Sequence, residues 1–276
     1  MADEASDAQF GVALNLTNSA APHANQTYLL PYHVESSPQK YFEWLWKDAV
    51  NFVTRPVYWR NKEWTTFAIE GGITGALLPL DDSVRDVIQD NPSNTRDSVL
   101  NNIHDITGGG NYYFAAGGAL FGSGLIVRNE KLADSGFLAL ESIAYAGRLA
   151  DGIKYLTGRD RPDTGKDQYQ FHGPSGPSNS AFVSREATVA FAFASSISEV
   201  WHNPWVTWPS YIFAGAVAAQ RVNSNRHWLS DVVGGAFLGH AVGKTFVHFH
   251  YRQDGEGRLQ PYITPDTVGM QVVFLF

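Results

Sequence analysis

Along most of this chain apolar side chains return every three to four positions, the interval of an α-helix that hides one face. Residues 1–40 do not share the pattern; they are polar and irregular and read as an N-terminal arm. The periodicity begins with YFEWLWKDAVNFV at 41–53 and TTFAIEGGITGALL at 65–78. It continues through a short polar helix near 82–90, another after the NPSNT turn and an Ala/Gly-rich helix within 111–127. Further helices are expected over 130–157, 184–201, 207–220 and 226–249. A loop of about twenty-five residues, rich in Gly, Pro, Asp and Ser, separates the first two of these, and so long a loop in a compact helical domain points to function. No alternating run is long enough for a sheet, so the expected fold is all-α, a single-domain helical bundle over 41–260. Only GMQVVFLF, in the tail 261–276, has a strand-like run. One strand cannot close a barrel, and the tail is expected to lie extended against the body.

Composition narrows the partners. With 44 % hydrophobic and 13 % aromatic content, 276 residues are ample for a buried core. A formal net charge of −7 argues against a nucleic acid partner held by bulk positive charge, so any anion site must be a local cluster of Lys and Arg. The absence of cysteine removes disulfides, thiolate catalysis and Cys-ligated zinc. The opening MADEASDAQFG has neither the basic nor the apolar region of a secretory signal, so the chain is expected either to be cytoplasmic or to have been relieved of its signal. Residues 106–127 and 200–220 carry no formal charge over a span's length. Glycines compromise the first, and His202, Asn203, Pro204 and Pro209 the second, so buried helices of a bundle are expected there.

Three clusters carry candidate chemistry. In KYLTGRDRP, residues 154–162, Lys154 lies in the last turn of a long helix, Gly158 ends it, and Arg159, Arg161 and Pro162 follow. In RVNSNRHWLSD, residues 221–231, Asn223, Ser224 and Asn225 read as a turn and cap, which sets His227 and Asp231 one helical turn apart. A His oriented by an Asp suits a general base, a nucleophile or a metal ligand. In FVSREATVAFAFAS, residues 182–195, Ser184 suits an N-cap and Glu186 the positive end of a helix dipole, and the local sequence favours capping over chemistry. The same helix start is also suited to an anion. His240 reads as a core residue and His248 with His250 as a surface pair.

The order and spacing of these motifs resemble the type 2 phosphatidic acid phosphatase and vanadium haloperoxidase superfamily. Six residues separate Lys154 from Arg161, five separate Arg221 from His227, and three separate His227 from Asp231. The likeness covers about residues 112–248, with its core motifs within 154–231. It implies the helical bundle of that superfamily and a metal-independent phosphatase, acid phosphatase-like, acting on a phosphomonoester or diphosphate. It implies Lys154, Arg161 and Arg221 as ligands of the phosphate oxygens, His227 as the nucleophile that forms a phosphohistidine, and Asp231 as its orienting partner. Three fixed cations can neutralise the transferring group without a metal, and vanadate or phosphate is the expected occupant of such a site. The substrate would be a phosphorylated small molecule or a lipid phosphate, the latter with peripheral membrane contact, and the location periplasmic or secreted. Nothing in the sequence fixes an oligomeric state.

The middle motif departs from that family. Where the family has Pro-Ser-Gly-His, this chain has Val183, Ser184, Arg185 and Glu186, so the serine is kept and the general acid is not. Gln220 stands where Ser commonly precedes the Arg. Glu186 is the catalytic candidate in place of the His, and nearby cations and the helix dipole should lower its pKa. An acidic optimum, or leaving groups that need little protonation, is then expected. His172 in the long loop is a substitute acid, and Arg185 reads either as a fourth phosphate ligand or as a counter-charge to Glu186. Two other readings stay open: a phosphate-binding relative without turnover, and a vanadate-dependent haloperoxidase using the same pocket. A metal-dependent hydrolase built on His227 and Asp231 has too thin a ligand set.

Overall fold

The computed structural model describes residues 39–107, 110–176, 180–250, 258–264 and 267–273. Residues 1–38 of the predicted arm and the terminal Phe lie outside the described residues. Nine α-helices and one two-stranded sheet occur among those described. The helices are α1 Gln39–Thr54, α2 Asn61–Leu77, α3 Asp81–Asp90, α4 Asn94–Thr107, α5 Asn111–Ile126, α6 Glu130–Thr157, α7 Arg185–Trp201, α8 Pro204–Asn223 and α9 Leu229–His250. The expected all-helical bundle is therefore present. Short 3-10 turns link α1 to α2 and α2 to α3, and two more lie in the long loop at Pro162–Thr164 and Gly173–Ser175.

The helix ends explain the topology. Asn129 caps α6 by accepting from the Leu132 N–H at 3.0 Å, and Gly158 ends it in a left-handed turn with φ 57°. Ser184 caps α7, and His202, also left-handed at φ 47°, ends it. Asn203 then caps α8 by accepting from the Trp205 N–H at 2.9 Å, and Pro204 sits at the first helical position, where no N–H is needed. That helix accordingly begins at Pro204 and not at 207. Both uncharged stretches are interrupted by helix ends, α4 stopping at Thr107 and α7 at Trp201. No helix is long and apolar enough to cross a membrane among the described residues.

α6 and α7 run through the middle of the bundle and are its most buried helices, with Ile143, Ala146, Val189 and Ala192 in the core. α9 lies against α7 through Gly235, Gly239 and Gly243. A Cβ at Gly239 would collide with the Thr188 carbonyl, so only glycine permits this approach. The consequence is functional: the N-terminal ends of α7 and α9 are held side by side.

α1 is inverted relative to a surface helix. Lys40, Tyr41 and Asp48 are buried, whereas Phe42, Trp46 and Val53 are 75 %, 74 % and 74 % exposed. Its buried face is satisfied by polar contacts, Lys40 Nζ to Asp134 at 3.0 Å and the Tyr41 hydroxyl donating to Asp134 at 2.9 Å. α2 has no distinct apolar face, and Thr74 is its one buried residue among those described.

The C-terminal segment corrects the sequence expectation. In place of a lone extended strand there is an antiparallel hairpin, β1 Arg258–Thr264 paired with β2 Thr267–Val273, and it belongs to a compact unit other than the helical body. Pro261 within β1 reads as a strand breaker, yet in a two-stranded ribbon both strands are edges, where proline is tolerated.

Candidate active site

Around Arg159 the fold builds its most buried polar network. The guanidinium, fully buried, donates to Asp81 Oδ2 at 2.7 Å, Asp231 Oδ1 at 2.6 Å, Ser230 Oγ at 2.8 Å and the Gln168 carbonyl at 2.7 Å. Phe171 and Trp228 sandwich it, with ring centroids at 5.1 and 5.5 Å. Asp81 also accepts from the Ser230 N–H and hydroxyl at 2.8 and 2.6 Å, which ties the start of α3 to the start of α9. Arg159 is thus a structural strut, and the sequence had counted it only as one of three cations in a cluster. Asp81 carried no signal beyond an acidic first turn.

The strut fixes Asp231, and Asp231 fixes the turn that carries His227. Asp231 Oδ2 accepts from the Trp228 N–H at 2.8 Å, and its carbonyl accepts from the Ser184 N–H at 3.0 Å. The sequence placed His227 and Asp231 on one face of a helix from 226; here α9 starts at Leu229 and His227 precedes it. The reason is local. Asn225 turns left-handed at φ 58°, and the N–H groups of Arg226 and His227 both donate to the Arg221 carbonyl at 3.2 Å, keeping the chain in a loop up to Trp228. His227 Nδ1 still lies 3.6 Å from Asp231 Oδ2, within ion-pair but not hydrogen-bond range.

On the other side of the imidazole stands Glu186. Its Oε2 is 3.6 Å from His227 Nε2, and its Oε1 is 3.7 Å from Arg221 Nη2. Burial raises the Glu186 pKa, but contact with His227 and the charge of Arg221 outweigh it and hold the carboxyl well below the usual range. Asp231 is lowered in the same way: burial opposes, and His227 and Arg159 prevail. Arg221, buried, also meets His104 Nδ1 of α4 at 3.4 Å, a contact the sequence did not suggest.

Lys154 and Arg161 complete the cationic group. Lys154 Nζ donates to the Ser180 and Ala181 carbonyls at 2.6 and 3.1 Å, and burial, then Arg161, push its pKa down to about 8. Burial lowers Arg161 as well, against the opposing pull of Glu186. Among the described residues, Arg161 Nε, Arg221 Nε and both ring nitrogens of His227 are buried without a hydrogen-bond partner. Buried polar nitrogens left unsatisfied are costly, and the two guanidinium donors among them call for an acceptor.

Three expected roles change. The Ser184 hydroxyl accepts from the Ala187 N–H at 3.4 Å and its amide is engaged by Asp231, so Ser184 is first a helix cap. Arg185 turns away to Asp151 of α6 at 3.3 Å and lies against Gly147, so it neither neutralises Glu186 nor joins Lys154, Arg161 and Arg221. His172 Nε2 is 2.8 Å from Asp160, which also takes Lys166 at 2.9 Å, and this pairing gives it a structural place in the loop.

The PAP2 superfamily family model matches residues 135–254. A lipid A 1-phosphatase of Porphyromonas gingivalis is 36 % identical over 103 residues, which are 37 % of this chain and 21 % of that protein, so the match spans about a fifth of the relative's length. The crystal structure of a transmembrane PAP2 type phosphatidylglycerolphosphate phosphatase from Bacillus subtilis superposes with a TM-score of 0.51 at 19 % identity, covering 69 % of this chain and 96 % of that one, a likeness of fold. The residues similar to the PAP2 superfamily model run from α6 to α9 and include both outer motifs.

Proposed function

We propose that the chain is a phosphatase that hydrolyses a phosphomonoester, with a lipid phosphate as the substrate class, through a phosphohistidine on His227. The observation that carries this reading is the group of four buried nitrogens of His227, Arg161 and Arg221 that lack a hydrogen bond, beside Lys154. A phosphoryl group supplies the oxygens that satisfy the guanidinium donors and an electrophilic phosphorus for Nε2. In the first step Nε2 bonds to phosphorus as the ester P–O bond breaks, and the leaving oxygen departs with the electron pair. In the second, water attacks phosphorus, the P–N bond breaks and inorganic phosphate is released.

Lys154, Arg161 and Arg221 offset charge on the equatorial oxygens. Asp231, pinned by Arg159 and the Trp228 N–H, stands at the far side of the ring and stabilises the phosphorylated imidazole. Because Glu186 is held ionised, it is a poor donor near neutral pH, and the leaving oxygen takes its proton from solvent or departs without one. Aryl phosphates and phosphoanhydrides are then better substrates than simple alkyl phosphates. The lipid class rests on the similar proteins and fits the exposed apolar side chains of α1, Phe42 and Trp46 among them, as a surface for peripheral membrane contact.

A second reading, phosphate binding without turnover, is favoured by one observation, the Glu186 carboxylate lying against Nε2. Phosphate release from p-nitrophenyl phosphate and from phosphatidic acid in detergent, measured with EDTA between pH 4 and 8, separates the two. Turnover that disappears in His227→Ala supports the phosphatase. A folded chain that binds phosphate and releases none from either ester supports the binding protein.

A further inference from the structure

The residue that replaces the family's histidine has a position with consequences of its own. Glu186 is the second residue of α7, and its two oxygens reach two different groups, Arg221 at 3.7 Å and the His227 Nε2 at 3.6 Å. These are the clamp and the attacking atom of the reaction proposed above, and the inference rests on that reading. Neither contact is short enough for a hydrogen bond, so charge rather than directed bonding holds the carboxylate there. Its neighbour Arg185 does not compensate it, being paired with Asp151. A side chain that is 25 % exposed and held by one loose ion pair, to Arg221, with the imidazole alongside can be displaced outward by a ligand that offers more oxygens.

We propose that Glu186 is the resident anion of the phosphate cradle: its carboxylate occupies the approach to Nε2, and an incoming phosphate binds by displacing it. Glu186 is then a specificity-determining residue. A displaced carboxylate remains beside the bound group and repels it in proportion to its charge, so it cuts into the preference for dianions that Lys154, Arg161 and Arg221 otherwise give. It also weakens retention of the dianionic product, inorganic phosphate, after turnover.

The test is the binding of inorganic phosphate to the full chain and to Glu186→Gln, measured by titration calorimetry from pH 6 to 8. The amide keeps the shape and removes the charge. The expected result is binding at least tenfold tighter in Glu186→Gln at pH 8. In the unsubstituted chain the affinity should gain little as phosphate takes on its second charge, and in Glu186→Gln that gain should be larger. Glu186→Asp, one methylene shorter, should lie between the two and provides the comparison if the amide variant unfolds. Equal affinities in chain and variants, with only turnover lowered, would mean that Glu186 is a proton donor and would overturn the proposal. Folded proteins that bind no phosphate with or without Glu186 would overturn the phosphate-site reading itself, and the proposal with it.

Discussion

Two buried acids in the same helical unit, Asp231 and Glu141, respond to burial in opposite ways. Near the start of α9, Asp231 shares the guanidinium of Arg159 with Asp81, and Asp231 is held in its charged form. Even there one cation does not fully serve two carboxylates, for burial pushes Asp81 up despite Arg159 and Ser230. Between α1 and α6, Glu141 faces another acid, Asp48, and burial followed by that charge and a hydrogen bond to it pushes its pKa up to about 9. Asp231 belongs to an ionic anchor for the turn that carries His227; Glu141 is a carboxyl kept neutral at the contact of two helices. What separates Asp231 from Glu141 is the company each keeps, His227 and Arg159 beside the one and a second acid beside the other.

Removing that cation has the largest expected effect. Arg159→Met leaves Asp81 and Asp231 buried without their partner, and breaking such a network costs about 3–5 kcal/mol. Denaturant unfolding should show this loss, together with loss of phosphate release. If the variant keeps wild-type stability, the contrast between the two groups is wrong. The next effect belongs to the other group. Glu141 binds its proton more tightly folded than unfolded, so the stability it contributes is full below the unfolded value near 4.5 and is lost as pH rises towards 9. The chain should lose about 2–4 kcal/mol between pH 5 and 9, and Glu141→Gln should flatten that slope. Asp231 gives the opposite limb. Its lowered pKa contributes stability above the unfolded value that disappears as pH falls through the folded one.

The sequence reveals some of this and hides the rest for physical reasons. The bounds of α6 and the start of α7 were legible because their signals are local, a capping Asn129, a terminating Gly158 and a capping Ser184. The spaced cations and His227 were legible because the motifs are short. Arg159 as a strut was not, since Asp81 and Asp231 lie 78 and 72 residues away in the chain and only the fold brings them together. The start of α9 was misread because Asn225 looks like a cap and instead turns the chain left-handed. Arg185 next to Glu186 looked like a counter-charge, but neighbouring positions on a helix point in different directions, and Asp151 takes it.

Within the site the contrast predicts a smaller effect. Burial and Arg161 lower Lys154 to about 8, so the cradle loses a positive charge as pH rises past that value. Phosphate affinity in Glu186→Gln, where the carboxylate no longer interferes, should decline several-fold above pH 8. Lys154→Met should remove that limb while weakening binding at pH 7. A decline that persists in Lys154→Met would point to a different titrating group.

The smallest effect is expected at His172, and its smallness is informative. Its pairing with Asp160 at 2.8 Å resembles the anchoring of Asp231 by Arg159, yet His172 is 38 % exposed, and Asp160 keeps Lys166 when the imidazole is removed. A half-exposed pair whose acid retains a second cation contributes about 1 kcal/mol or less. His172→Ala should therefore unfold within about that margin of the unsubstituted chain. It should release phosphate from p-nitrophenyl phosphate at an unchanged rate across pH 4 to 8. A tenfold fall confined to the chemical step, with phosphate affinity unchanged, would make His172 the missing proton donor. The loop from Arg159 to Ser180 would then belong to the reaction as well as to the scaffold.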